Sequence, residues 1–549
     1  MKRILSYVAL VALVMLSSSC SKSRAEKMAM AENVIVDCTP EVLQLVGDKI
    51  PAEITVTYPE GYFYPEATLD VTPVLVYEGG SQVGKTVTFQ GEKVEANNKV
   101  VPKAGGVVKE KFVFDYVKGV EKSYLELRAV CHYGKHSVEC PAIKVADGVN
   151  TTANLVNLSG TYNIMEDGYQ EVLHLSTEGQ ILYDINSSYV KKSQLRSQSI
   201  LELQEALQEI AANERVTVTG TQIIAYASPD GGEKLNSELS DKRAGTAEKA
   251  WSKISKDGAK ADDVQVQSIG QDWKGFQEAV SASNIPDKDL ILRVLSMYSD
   301  PAVRESEIRN LSKIYTEISK TVFPELRRAR FVTNYDFKNF SDEELAELAD
   351  KAINVLDETA LLRVAANTEN ADRKAVLYNL AAEKFNSQKA LYNLAALYLA
   401  KNEPANAEKT IARLSDKNSA DAVNTLGVAE MLKGNYEAAA KLFSKAGNDA
   451  AKANLGALDI YNGNYSAAVS KLQNTTGTNK ALACILNGDL NAASAALTGE
   501  DALTYYLKAV VAARKGDVSA AKAALKTAGE KCPKLAERAT KDIEFATVK

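Results

Sequence analysis

Residues 225–244 read Ala-Tyr-Ala-Ser-Pro-Asp-Gly-Gly-Glu-Lys-Leu-Asn-Ser-Glu-Leu-Ser-Asp-Lys-Arg-Ala and set the architecture of the middle of the chain. The residues from Val216 to Tyr226, which run into the start of this stretch, are rich in β-branched and aromatic side chains and predict a strand. Pro-Asp-Gly-Gly then predicts a tight turn, and helical spacing of apolar residues predicts a helix from Glu233 to Ser255. We therefore expect a strand, a turn and a helix within an α/β domain.

The predicted helix has an apolar stripe that also carries two polar residues. The stripe consists of Leu235, Leu239, Ala247, Ala250 and Ile254. At about 100° per residue, Asn236 and Arg243 lie near its middle and should face inward. A guanidinium in that position needs a partner. It either has a structural role, snorkelling toward solvent or forming an internal ion pair with a carboxylate such as Asp230 or Asp184, or it presents its fork to the carboxylate of a ligand.

The nine residues from Asn236 to Ala244 resemble the N-x-x-L-S-x-x-R-A helix motif of the OmpA-like peptidoglycan-binding family. Gly231 falls on the turn glycine of that family, residues 184–188 resemble its opening strand and loop, and residues 326–330 resemble the arginine pair before its last strand. The resemblance implies an α/β OmpA-like sandwich domain over residues 160–338, with a helical insertion at residues 275–322.

The resemblance also implies a binding site for the stem peptide of peptidoglycan. In the family, the arginine equivalent to Arg243 binds a carboxylate of the wall diamino acid, and an aspartate at the position of Ser228 binds its ammonium group. Asp230, two residues further along the same turn, is the candidate replacement for that aspartate. Together with Asn236 of the helix motif, these residues form the predicted peptidoglycan-binding site.

The start of the chain predicts export. Lys2 and Arg3 precede an apolar run over residues 4–16, and three serines lead to Cys20. This pattern resembles a lipoprotein signal over residues 1–19, followed by a linker at residues 20–33, which implies lipidation of Cys20. The alternative is an uncleaved anchor, although the run is short for a bilayer span. The resemblance implies lipid anchoring in the outer membrane, and because no acidic cluster follows Cys20, we expect the protein to face the periplasm.

Residues 34–150 predict an all-β sandwich with an Ig-like arrangement. Short alternating runs, such as residues 53–58 and 125–130, are separated by glycine turns. Cys131 and Cys140 flank a predicted hairpin loop and should face each other. They form either a disulfide or two buried free thiols.

Residues 341–549 predict an all-α array of repeats. Glycine recurs in similar settings at Gly434, Gly463, Gly488 and Gly516, between alanine- and leucine-rich helices. Residues 426–446 and 455–472 place small and aromatic residues where a tetratricopeptide repeat (TPR) packs two helices together, although the period is shorter than the usual ~34 residues. The resemblance implies a TPR solenoid whose concave groove binds partner proteins.

The composition and the motif content of the chain argue against several classes of function. A net charge of -6 gives no basic field for nucleic acid. Three histidines and six cysteines lack metal-ligand spacing, and no nucleophile elbow, HExxH or Walker loop occurs, so we expect no metal, cofactor or catalytic residue. Two functions remain open. One is an outer-membrane lipoprotein that tethers the envelope to peptidoglycan while its repeats recruit partners. The other is an adaptor or assembly factor of an envelope secretion or surface-fibre machine, with wall binding secondary.

Overall fold

The computed structural model describes residues 23–285 and 288–548, except for the side chains of residues 312–314. Cys20 and the predicted signal therefore lie outside the described residues. Internal contacts divide the chain into two units. The first unit comprises the described residues up to Glu166 together with those from Tyr378 onward, and the second unit is Asp167–Leu377. In the part of the chain that is described, none of the helices combines the length and the apolar character that crossing a bilayer requires.

The N-terminal part of the first unit is β-rich, which confirms the prediction at that level. It begins with the short helix α1 (Arg24–Ala29). The strands are β1 (Ile35–Thr39), β2 (Leu43–Gln44), β3 (Lys49–Tyr58), β4 (Ala67–Tyr77), β5 (Gly80–Val83), β6 (Val87–Gln90), β7 (Lys99–Val100), β8 (Gly106–Asp115), β9 (Ser123–Tyr133), β10 (His136–Glu139), β11 (Ile143–Asp147) and β12 (Val149–Asn150).

Two sheets of this part share one core. One sheet has the order β1-β3-β8; the other has the order β10-β9-β4-β6-β7, with β5 on β4 and β11 on β9. Every second residue of β3 is buried, as expected for a strand with one face on a core. Ile54 and Phe112 of the first sheet join Phe89 and Leu127 of the second in one buried cluster.

The second unit is built around a mixed sheet. Its elements are β13 (Val172–Leu182), α2 (Gln198–Ala212), β14 (Val216–Ala227), α3 (Glu233–Ile254), β15 (Val264–Gln271), α4 (Trp273–Ala282), α5 (Lys288–Met297), α6 (Pro301–Asn310), α7 (Ser312–Thr321), α8 (Phe323–Leu326), β16 (Arg328–Lys338), α9 (Asp342–Lys351) and α10 (Glu358–Asn367). The order is β13-β16-β14-β15, with β14 and β15 parallel and the other pairs antiparallel. Leu203 of α2 and Ala247 of α3 pack in one buried cluster with Ile223 and Phe331 of the strands.

The predicted insertion corresponds to α4–α8, which have a buried cluster of their own. The predicted apolar stripe on α3 is wrong at one position, because Leu235 is 54% exposed. The buried face instead runs through Asn236, Ser240, Arg243 and Ala247. Leu235 lies in the first turn of the helix, on the side facing solvent, where helical spacing alone cannot distinguish a buried from an open position.

The C-terminal part of the first unit is helical, which confirms that prediction. Its helices are α11 (Ala371–Phe385), α12 (Gln388–Ala400), α13 (Pro404–Ile411), α14 (Ala420–Leu432), α15 (Tyr436–Ala446), α16 (Asp449–Tyr461), α17 (Tyr465–Lys471), α18 (Thr478–Leu486), α19 (Leu490–Ala496), α20 (Ala502–Lys515), α21 (Val518–Lys531) and α22 (Pro533–Ala539). They form successive hairpins from α12/α13 to α20/α21. Gly427 allows α14 to approach Phe443 of α15, since an added Cβ would lie 2.5 Å from that ring.

The boundary between the units lies within α11, whereas composition changes near residue 341. Two ion pairs hold α9 and α10 in the second unit. Arg215, just before β14, pairs with Glu344 of α9, and Nε of Arg363 in α10 donates to Asp342 at 2.8 Å. The composition of the chain does not reveal these contacts, because the helices before and after the unit boundary in α11 are similar in composition.

Candidate functional site

The turn between β14 and α3 is shaped from inside by Asn236. Its Nδ2 donates to the main-chain carbonyl oxygens of Ser228, at 3.0 Å, and Gly231, at 2.7 Å. Asn236 is buried, so these bonds are shielded from water. The motif asparagine therefore holds the turn closed.

Asp230 is already paired with an arginine. Its Oδ2 accepts a hydrogen bond from Nη2 of Arg327 at 2.8 Å. Oγ of Ser228 donates to the other carboxylate oxygen of Asp230 and accepts from Nε of Arg327 at 3.2 Å. The two side chains of this ion pair are largely buried. A ligand ammonium group at Asp230 would have to compete with Arg327.

Arg243 is 1% exposed and binds main-chain carbonyls. Its Nη1 donates to Tyr226 at 2.9 Å, its Nε to Ser187 at 2.9 Å and its Nη2 to Asp184 at 3.2 Å. Its guanidinium also lies 5.0 Å from the ring centre of Tyr183. Burial lowers the pKa of Arg243 to about 10, against the opposing effect of Tyr183. The guanidinium ties the loop after β13 to the end of β14.

This geometry differs from both sequence-based alternatives for Arg243. The contact with Asp184 is through its main-chain oxygen, whereas the Asp184 carboxylate binds Lys191 at 2.7 Å. The fork is neither in an ion pair with that carboxylate nor open to a ligand. The structure brings Ser228, Asp230, Asn236 and Arg243 to one turn. The structure also places Arg327 at this turn. The sequence indicates the arginine pair to which Arg327 belongs, but not its ion pair with Asp230.

The two cysteines of the predicted hairpin are neighbouring thiols. Sγ of Cys131 and Sγ of Cys140 lie 3.3 Å apart and are not bonded to each other. Their hydrogen bond raises the pKa of Cys131 and lowers that of Cys140. The thiols are positioned to form a disulfide when an oxidant such as oxidised glutathione accepts two electrons and two protons from them.

A second site lies in the repeats of the first unit and was missed by the sequence analysis. Residues 157–165, which we call the clasped segment, form neither helix nor strand. Asparagine side chains on the first helices of the repeat hairpins bind the main chain of this segment. We call Asn393, Asn424, Asn454 and Asn479 the amide clasp.

Each of three clasp residues holds one residue of the segment by both its N–H and its C=O. Oδ1 of Asn479 accepts from the N–H of Asn157 at 2.8 Å, and its Nδ2 donates to the carbonyl of Asn157 at 2.9 Å. Asn454 does the same for Thr161, at 2.6 and 2.8 Å. Asn393 does so for Met165, at 2.7 and 2.9 Å. The bound residues are thus spaced four apart and run opposite to the repeats.

Asn424 reinforces the centre of the clasp. Its Nδ2 donates to the carbonyl of Thr161 at 2.9 Å, and its Oδ1 accepts from Asn454 at 3.0 Å. Asn424 and Asn454 are almost completely buried, so each amide depends on these partners. Amide side chains that donate and accept at once match a main chain independently of its side chains.

A sequence signal for the clasp exists. Asn393, Asn454 and Asn479 each lie nine residues before the left-handed turn residue of their hairpin. Those turn residues are Asn402, Gly463 and Gly488. In the hairpin that turns at Gly434, the same position is Thr425, and the neighbouring Asn424 contributes instead. An asparagine repeated at one position of successive helices indicates a shared partner.

No protein-family model matches the chain, and no curated protein sequence does. Among solved structures, a tetratricopeptide repeat protein from Parabacteroides merdae is 17% identical over 37% of this chain and 91% of its own, with a TM-score of 0.29. The APC/C hetero-tetramer Cut9–Hcn1 is 14% identical over 48% and 58%, also at 0.29. YrrB, a TPR protein with an unusual peptide-binding site, is 17% identical over 37% and 100%, at 0.20. The C-terminal helices of this chain form repeats by their own hairpins and turn spacing.

Proposed function

We propose that this protein is a non-catalytic adaptor whose helical repeats bind an extended polypeptide. The observation that carries the proposal is the amide clasp, in which three asparagines each hold both main-chain polar groups of one residue. Main-chain recognition by groups on a rigid scaffold is a general way to bind an extended segment of another protein. That geometry supports a role in recruiting a protein partner.

A peptide-binding experiment on the chain from residue 21 onward tests this function. A triple variant, Asn157→Pro, Thr161→Pro and Met165→Pro, removes the three N–H groups that the clasp accepts and opens the site; we call it the open variant. The probe is a fluorescent peptide with the sequence of residues 155–166. We expect saturable binding to the open variant.

The clasp itself provides the control. Adding Asn454→Ala to the open variant removes two hydrogen bonds to the probe, worth about 1–3 kcal/mol together, or roughly fivefold to a hundredfold in affinity. A matched change, Asn462→Ala, alters an exposed residue just after the same helix and should leave affinity unchanged. If the correctly folded open variant does not bind the probe, the proposed function is wrong.

We further propose that the adaptor is an outer-membrane lipoprotein held by lipid on Cys20 and facing the periplasm. The signal pattern of residues 1–19 supports this placement. Cys20→Ala should release the protein from the membrane fraction, because lipid would be its anchor. A variant that still sediments with outer membrane after wall digestion would contradict lipid anchoring.

Peptidoglycan binding is a second candidate function. It is supported by the convergence of Asn236, Asp230, Ser228 and Arg243 at one turn, as the resemblance implies. In this geometry the stem-peptide carboxylate reaches Arg243 only if residues 184–188 move aside. Wall binding is therefore secondary to the adaptor role in our proposal, and an OmpA-like tether remains a prediction.

Retention on purified sacculi tests this second function. Ser228→Asp supplies the carboxylate that the family places there and should strengthen retention of the full chain. Asp230→Asn should weaken it, because one anionic partner of the ligand ammonium is lost. Equal retention of the parent chain and both variants would exclude stem-peptide recognition at this turn.

A further inference from the structure

The amide clasp is filled by the protein's own chain. Besides the main-chain hydrogen bonds, Leu155 and Val156 pack against the buried cluster of the last repeats. Nδ2 of Asn163 donates to Asp421 of α14 at 2.7 Å. The repeats thus hold the segment at Asn157, Thr161, Asn163 and Met165, and the segment occupies the place of a ligand.

Glycine is required at one position of the clasped segment. Gly160 has a φ of +85°, a conformation that side chains disfavour. An added Cβ would lie 2.5 Å from Cγ1 and 2.8 Å from Cγ2 of Val428. Val428 is completely buried in α14 and cannot move aside. The residue just before Thr161, the centre of the clasp, must therefore be glycine.

The clasped segment is also uncharged. From Asn157 to Met165 it contains no Lys, Arg, Asp or Glu. The clasp offers neutral amides rather than charged groups, and neutral amides satisfy a main chain without favouring either sign of side-chain charge. The clasp therefore recognises an extended main chain whatever the charge of its side chains.

We infer that the clasp is selective for an extended peptide with glycine directly before its central bound residue, and that residues 157–165 close the site as an internal latch. A partner segment of this kind displaces the latch. The inference rests on the proposed function, because it concerns the same groove. It adds the sequence requirement of the ligand and the closed state of the free protein.

The latch is tested by comparing four proteins, each of them the chain from residue 21 onward, with the same fluorescent probe, the peptide of residues 155–166. The parent chain should bind the probe at least tenfold more weakly than the open variant, since its own segment competes at high effective concentration. Gly160→Ala in this chain should open the site and raise probe affinity at least tenfold over the parent. Ser159→Ala, at the exposed neighbouring residue, should behave like the parent.

Glycine selectivity is tested on the probe, where folding is not at issue. A probe carrying Gly160→Ala should bind the open variant at least tenfold more weakly than the unchanged probe. Equal binding of the two probes would overturn the glycine requirement. Equal binding of the unchanged probe to parent and open variant would overturn the latch while leaving the adaptor function standing. Failure of the open variant to bind the unchanged probe would remove the function and the inference together.

Discussion

Nη1 of Arg243, in the middle of α3, donates a hydrogen bond to the carbonyl oxygen of Tyr226, near the end of β14, at 2.9 Å. With the bonds to Ser187 and Asp184, this contact makes one buried cation the link between a helix, a strand end and a loop. The buried arginine of the predicted ligand site thus stabilises the fold.

Arg243→Ala should destabilise the second unit by about 3 kcal/mol or more, because it removes a buried guanidinium that donates to three main-chain carbonyl oxygens. Both tryptophans of the chain, Trp251 and Trp273, lie in this unit, so urea unfolding followed by tryptophan fluorescence reports on it. Lys242→Ala, at the exposed neighbouring position, is the control. An Arg243→Ala variant as stable as that control would contradict the structural role.

The pair of Asp230 and Arg327 should show measurable coupling in a double-mutant cycle. We expect about 1–3 kcal/mol for Asp230→Asn combined with Arg327→Met, because both side chains are largely buried. The exposed pair of Asp184 and Lys191 provides a matched comparison and should couple by less than about 1 kcal/mol. Similar coupling energies for the two pairs would mean that burial does not strengthen the ion pair of Asp230 and Arg327.

Asn393, Asn454 and Asn479 of the clasp should each protect one amide of the clasped segment from hydrogen exchange. Asn454→Ala should accelerate exchange at Thr161 by roughly fivefold or more, since the acceptor of that N–H is removed. Asn479→Ala should do the same at Asn157. If both variants accelerate hydrogen exchange equally over the whole segment, the segment opens as a unit and the residue-by-residue protection is wrong.

Cys131 and Cys140 should form a disulfide under oxidising conditions. Reaction with oxidised glutathione would couple the two thiols and release two reduced glutathione molecules, with the loss of two hydrogen atoms from the protein. Peptide mass spectrometry after thiol alkylation measures this, with the buried Cys38 and Cys484 as internal references. Alkylation of all four cysteines after oxidation would contradict the prediction.

Glu544 should make the stability of the first unit depend on acid. Burial raises its pKa, but the hydrogen bond and charge of Arg514, with donors from Asn150 and Thr152, outweigh burial and leave the pKa below its usual 4.5. The stabilisation is therefore complete above the unfolded pKa and is lost as the pH falls through the folded value.

Glu544→Gln should flatten that acid dependence, because glutamine does not titrate in this range. Thermal unfolding followed by far-ultraviolet circular dichroism from about pH 3 to about pH 7 measures the effect. Glu537→Gln, on the nearby helix α22, is the comparison and should retain the acid dependence. A pH profile of Glu544→Gln identical to that of the parent would contradict the assignment.

Sequence patterns predicted the local structure of this protein well where the signals lie close together along the chain. Val216 to Tyr226 forms a strand and Glu233 onward a helix, because side-chain periodicity and turn residues act over a few positions. Arg243 was correctly expected to face inward from helical spacing. Its partners could not be predicted, since Ser187 and Asp184 are brought to it across 56 and 59 residues.

The sequence by itself determined the β-rich and helical parts, the turn before α3 and the repeated asparagines of the hairpins. Only the tertiary structure decided what those asparagines bind. Thr161 and Asn454 are 293 residues apart in the chain, and a main-chain ligand leaves no side-chain pattern by which it could be recognised. Gly160 illustrates the same limit. Only glycine fits at this position because folding brings Val428 of α14 against it.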